Sequence, residues 1–260
     1  MMFTNVFRVF NVVRSIKVKG LVAASFLATL LLSGCADSSV SYSAPASSPP
    51  AATSKPTQLE KQKPVKNLPR LDGSATIALQ VQNGTVTIEV DGKNAPITAG
   101  NFVDLVQRGV YDNLVFHRVV KEPQPFVAQG GDPQGKDPGF TGTLGTGGFI
   151  DPDTSQARTI PLEIKPKNSE IIYGKVFSEA GVKTAPELSH TRGAVAMARS
   201  QAPDSASSQF YIALADLPFL DGNYAVFGYV KNGMELVDQI KQGDRITSAK
   251  VVQGLENLRK

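Results

Sequence analysis

The stretch VFHRVV, residues 115–120, decides how this sequence is read. Its valines and phenylalanine suit a buried strand. It also carries Arg118, a group that stays charged in proteins and is seldom fully buried without a partner. Regular alternation puts Phe116, Arg118 and Val120 on one face and Val115, His117 and Val119 on the other, so the arginine shares its face with apolar side chains. An edge arginine that snorkels to water is the plain alternative.

Outward from this stretch, the elements are short. ATIALQV and TVTIEV flank the Asn83-Gly84 pair, a strong hairpin signal. The N-x-T match at Asn83 is read as this turn and not as a glycan site. PITAGNFVDLVQR, residues 96–108, opens with Pro, stops before Gly109, and places Ile97, Phe102, Leu105 and Val106 near helical spacing. A second helix is predicted over MELVDQIKQ, residues 234–242. Between and after the helices lie FVAQGG, GAVAMA, SQFYIAL, YAVFGYV and ITSAKVV, apolar runs separated by Gly and Pro. Many short strands with two helices favour a closed or sandwiched β architecture.

The negative signals narrow the chemistry. The glycine-rich loop of residues 130–148 lacks the lysine-hydroxyl ending of a phosphate cradle and runs into FIDPD rather than opening a helix. The chain has two histidines, His117 and His190, and one cysteine, so no His- or Cys-rich metal site is expected. No G-x-S-x-G elbow supports a serine triad. His117 is read as a packing or hydrogen-bonding residue and His190 as a surface loop residue.

The ordered set FHR, FVAQGGD, MARS, SSQFYI, FLDGNYAVFG and NGMELVDQI resembles the cyclophilin family of peptidyl-prolyl isomerases, over almost all of residues 75–253. The resemblance implies a mainly β fold: a closed eight-stranded antiparallel β-barrel with two flanking α-helices and a groove on its outer surface. It implies an isomerase for X-Pro bonds that needs no cofactor or metal and takes proline-containing polypeptides. Arg118 corresponds to the family's catalytic arginine. Phe126 matches the aromatic floor of the proline pocket, Val127 a neighbouring wall, and Gln129 a group that orients the arginine and substrate. Ala198 and Arg199 border the groove, Gln209 lies beside it, Tyr211 stands where Phe is usual, and Leu220 closes the pocket.

Three departures from the family pattern stand out. Phe219 occupies a position that is Trp in many cyclophilins, where the indole is a main hydrogen-bonding contact for cyclosporin. Tyr224 replaces a groove histidine. VVKEPQP, between Arg118 and Phe126, is longer than the usual turn and contains Pro123 and Pro125. A non-catalytic proline-peptide-binding chaperone or assembly factor is the alternative function.

The N-terminal third has another character. Residues 1–34 hold four cations, no acid and an apolar run, which is the layout of a secretory leader. They end in LLSGC, which resembles a bacterial lipobox and implies cleavage before Cys35 and lipidation of its sulfur. Without that leader the formal +4 falls to zero, so the basic balance carries no nucleic-acid signal. Residues 35–70 are Ser-, Ala- and Pro-rich, too poor in apolar side chains to fold, and read as a disordered tether. The folded domain is expected over residues 71–260, monomeric, and held by its lipid to the periplasmic face of a membrane, or in a thylakoid lumen if the organism is photosynthetic.

Overall fold

In the computed structural model of the protein, residues 68–82 and 84–260 are described. The leader, Cys35, nearly all of the tether and Asn83 lie outside the described residues. The main sheet has eight strands: β1 (Ser74–Val81), β2 (Gly84–Asp91), β3 (Arg118–Val120), β4 (Val127–Gly130), β5 (Ala194–Met197), β6 (Phe210–Ala213), β7 (Val226–Asn232) and β8 (Ser248–Gln253). Two α-helices accompany them, α1 (Pro96–Gln107) and α2 (Met234–Gln239). The predicted hairpin is β1–β2, in register from Ser74 opposite Asp91 to Val81 opposite Gly84.

The expected closed barrel does not form. The strands make one curled antiparallel sheet in the order β8-β1-β2-β7-β5-β6-β4-β3, and the edge strands β8 and β3 do not pair. The segments just ahead of those two strands meet instead. Val115 and Arg245 form a single bridge. Phe116 N–H donates to Asp244 O at 2.8 Å, Gly243 N–H to Phe116 O at 3.0 Å, and Ile246 N–H to Leu114 O at 2.8 Å. This crossing uses backbone groups that a continued ladder would need. β3 then ends after three residues, ahead of two prolines that have no N–H to offer an edge. The result is an open half-barrel whose gap the crossing spans.

The same crossing corrects the face assignment at residues 115–120. Phe116 is fully buried in the core, while Arg118 is exposed. Regular strand geometry starts only at Arg118, so the alternation does not extend back through His117 and Phe116.

α1 packs in the concave face of the sheet, with Ile97, Phe102, Leu105 and Val106 buried as predicted. The Phe102 ring lies 5.0 Å from Tyr111, 5.3 Å from Phe210 and 5.0 Å from Phe227. Each such ring, once buried, contributes roughly 1.5–3 kcal/mol. Ala95 has no side chain to cap α1. The buried carboxylate of Glu163 caps it from a distance, accepting from Ile97 N at 3.1 Å and Thr98 N at 2.7 Å. α2 is shorter than predicted, because Ile240 leaves helical geometry (ψ 132) and turns into the core. Leu68 packs on the core, and Arg70 and Leu71 pair with Arg259 and Leu258. Gly100 permits this entry: a Cβ there would lie 2.5 Å from Arg70 Cα.

Candidate functional site

Strand register builds the site. Arg118 on β3 sits opposite Gln129 on β4, Gln129 opposite Tyr211 on β6, and Tyr211 opposite Ala196 on β5. Cross-strand partners share a face, and this row lies on the convex side of the sheet. β6 shows the division: Phe210 and Ile212 enter the main core, while Tyr211 and Ala213 enter a second apolar cluster outside it. Val127, Ala196 and Val226 belong to that cluster, with Phe126, Leu220 and Tyr224 packed against it.

On this cluster opens a cavity of about 230 Å³ lined by Arg118, Phe126, Val127, Gln129, Ala198, Arg199, Tyr211, Leu220 and Tyr224. The motifs that supply these residues are spread from position 118 to 224, and the fold brings them together. Two other expected residues stand outside. Gln209 lines an adjoining polar cavity of about 330 Å³ with Gly147, Ser205 and Ser207. Phe219 is 65 % exposed and stacks on Phe126, with centroids 6.1 Å apart.

The two arginines of the cavity are held differently. Arg199 is a strut: Nε and Nη2 donate to Asn223 O at 3.0 and 2.8 Å, and Nη1 donates to the carbonyls of Ser200 and Gln201. Its guanidinium also lies over the Tyr224 ring. Arg118 is nearly unengaged. Nη1 makes one long bond, 3.4 Å, to Gln129 Oε1, and Cζ lies 5.4 Å from the Phe126 centroid. Among the described residues no carboxylate forms a salt bridge with it. Its remaining donors are therefore available to a ligand in the cavity.

Gln129 continues into a relay. Its Nε2 donates to Gln209 Oε1 at 3.1 Å, and Gln209 Nε2 donates to Gly147 O at 2.7 Å. The glycine-rich loop is organised by Asp132, which the sequence reading passed over. Its buried carboxylate accepts from the backbone N–H groups of Gln134 (2.9 Å), Gly145 (2.6 Å) and Gly147 (3.0 Å). His117 lies against this loop, and burial lowers its pKa, with Asp132 working the other way.

The long insertion leaves the register intact. Phe126 N–H donates to Val120 O at 3.0 Å, and Val120 stays opposite Val127. Residues 122–125 are exposed, include the cis Glu122–Pro123 bond, and are not among the residues that line the cavity. Lys121 Nζ secures the loop by donating to Asp238 O.

His190 is not a surface residue. It is 1 % exposed, with Nδ1 2.7 Å from Asp221 Oδ1 and Nε2 3.0 Å from Tyr211 Oη. Its partners lie 31 and 21 residues away, so no local pattern marks it.

A family model described as cyclophilin type peptidyl-prolyl cis-trans isomerase/CLD matches residues 76–256. The chain belongs to the cyclophilin family. Among relatives of this cyclophilin is a Synechocystis sp. protein whose name places it in the thylakoid lumen as a peptidyl-prolyl cis-trans isomerase. It is 45 % identical over 204 residues, which cover 74 % of this chain and 50 % of the relative. The chloroplastic peptidyl-prolyl cis-trans isomerase CYP38 of Arabidopsis thaliana is 39 % identical over 212 residues, covering 74 % and 46 %. The cyclophilin thus spans about half the length of these two relatives. A crystal structure of a cyclophilin-type isomerase of Cryptosporidium parvum superposes with a TM-score of 0.52 at 24 % identity, covering 68 % of this chain and 97 % of that one. The fold is cyclophilin-like, mainly β with two α-helices.

Proposed function

We propose that this cyclophilin is a peptidyl-prolyl cis-trans isomerase with Arg118 as its catalytic residue. The observation that carries the reading is a guanidinium with no carboxylate partner among the described residues, held beside a cavity of about 230 Å³ that opens on an apolar cluster. Rotation about an X-Pro bond faces a barrier of about 18–20 kcal/mol because resonance stiffens the C–N bond. Twisting localises the lone pair on the prolyl nitrogen. A donor aimed there bonds the twisted amide better than the planar one, so it favours the transition state. Phe126, Val127, Leu220 and Tyr211 hold the pyrrolidine ring, and Gln129 orients Arg118. No covalent bond is made or broken, and no cofactor is required.

The substrates are proline-containing chains folding or assembling outside the cytoplasm. The leader ending in LLSGC and the thylakoid and chloroplast names of the two relatives support that location, with a lipid on Cys35 as the anchor. The deciding experiment is cis-trans exchange of a short X-Pro peptide with the purified protein and its Arg118→Ala variant. Acceleration that falls about a hundredfold or more in the variant supports the reading. A folded wild-type protein without acceleration leaves a proline-peptide-binding module in its place.

A further inference from the structure

Tyr211 poses a problem that its position makes specific. Its ring lines the proline cavity and is only 5 % exposed, so its hydroxyl needs a partner that does not sit in the cavity. His190 supplies one. Asp221 Oδ1 accepts both the backbone N–H of His190 at 2.8 Å and a bond from Nδ1 at 2.7 Å. A carboxylate only accepts, so Nδ1 carries the ring proton. In the neutral imidazole Nε2 is then the acceptor, and the Tyr211 O–H donates to it at 3.0 Å. The two rings lie nearly parallel, at 16°.

The backbone of His190 faces the same wall. Its carbonyl accepts from Leu217 N at 2.7 Å, and Leu217 O accepts from Leu220 N at 2.9 Å. His190 thus ties β6, which carries Tyr211, to the turn that carries Phe219, Leu220 and Asp221. These are two walls of one cavity, and His190 lines neither.

We propose that His190, backed by Asp221, is a positioning residue of the proline pocket. By accepting the Tyr211 hydroxyl it turns that oxygen out of the cavity and fixes the gap between Tyr211 and Leu220, which sets how tightly the pyrrolidine ring is held. This rests on the proposed isomerase reading for its substrate. A tyrosine is compatible with an apolar pocket here because the buried imidazole takes its polar end.

The test is a double-mutant cycle on the full-length protein with Tyr211→Phe, which keeps the ring, and His190→Leu, which keeps the volume. Each is measured by NMR titration with a tetrapeptide containing a central Ala-Pro bond and by exchange rates on the same peptide, with near-ultraviolet circular dichroism to establish folding. Each single variant is expected to weaken binding about three- to tenfold, the range one hydrogen bond commands, and to slow bound-state exchange by a smaller factor. The double variant should bind no worse than the weaker single one, because both changes remove the same link. His190→Gln, which returns an acceptor, should recover part of the loss. If folded single variants bind like wild type, or their effects add, His190 is only a buried structural residue and the proposal falls. Coupled binding effects without catalysis would sink the isomerase reading and leave this one standing. A wild-type protein that does not bind the peptide overturns both.

Discussion

The guanidinium of Arg118 stands 5.4 Å from the centroid of the Phe126 ring, although seven residues, among them an exposed two-proline loop, separate them in the chain. The contact survives because β3 and β4 keep their register beneath the loop: Arg118 opposite Gln129, Val120 opposite Val127. A charge and an apolar floor at this distance are what the proposed chemistry needs, and they are the basis of the first prediction.

Arg118→Lys preserves the charge but replaces a planar fork with a compact ammonium on a flexible stem. Peptide exchange by this variant is expected to drop about tenfold or more. The exposed position should keep its stability within about 0.5 kcal/mol of wild type. Equal activity in the lysine variant would show that charge alone suffices, against a directed hydrogen bond.

Cyclosporin should inhibit weakly. Phe219 stacks on Phe126 and is 65 % exposed, but it has no N–H to donate where many family members carry an indole. Phe219→Trp is expected to tighten inhibition about tenfold, the value of one added hydrogen bond. Submicromolar inhibition of the wild-type protein would contradict this.

Asp132→Ala removes an acceptor shared by three backbone N–H groups, one of them on Gly147, whose carbonyl holds Gln209. The glycine-rich loop should exchange amide hydrogens faster. Activity should fall about three- to tenfold through Gln209 and Gln129, each link being worth about 1 kcal/mol. Unchanged protection at Gly145 and Gly147 would show that the loop is held by other contacts.

Acid should destabilise the fold, beginning near pH 6.5. Burial lowers the His190 pKa from 6.5 despite the opposing carboxylate of Asp221, and lowers that of His117 despite Asp132. The groups facing this pair of sites are Tyr211 and Asp221 around His190, with Tyr224 and Arg199 beyond Tyr211, and Arg118 and Asp132 around His117. The unfolded chain then binds more protons than the folded one, so stability is complete above about pH 6.5 and is lost as pH falls through the folded values. Glu163 has the opposite sign. Burial raises its carboxyl above 4.5, so its contribution is complete below about pH 4.5 and diminishes as pH rises through the folded value. Burial alone would raise Asp104, but Lys260 and Arg158 hold it below 3.8, so it matters only in stronger acid. Thermal midpoints from pH 8 to 5 should decline for wild type and decline less for His190→Leu. Parallel curves would remove His190 as a source.

Features that depend on neighbours in the chain were the legible ones. The β1–β2 hairpin follows from an Asn-Gly pair between alternating runs, and α1 from spacing and a leading proline. α2 was predicted three residues too long, since nothing in KQ signals that Ile240 must turn inward to fill the core. Phe116 was assigned to the face of Arg118 by an alternation that the crossing with residues 243–246 interrupts. His190 reads as a surface loop residue and Asp132 carries no signal, because each acts on groups brought to it from other parts of the fold.

By itself the sequence determined the family, through motifs whose order survives in the chain, and with it the residues that line the cavity. Only the tertiary structure decided that the sheet stays open, that the proline loop leaves Val120 opposite Val127, and that the Tyr211 hydroxyl is taken by a buried histidine. These outcomes depend on strand register and on hydrogen bonds between groups far apart in the chain. Such pairings exist only after the backbone has closed the distance, so no local pattern of residue types encodes them.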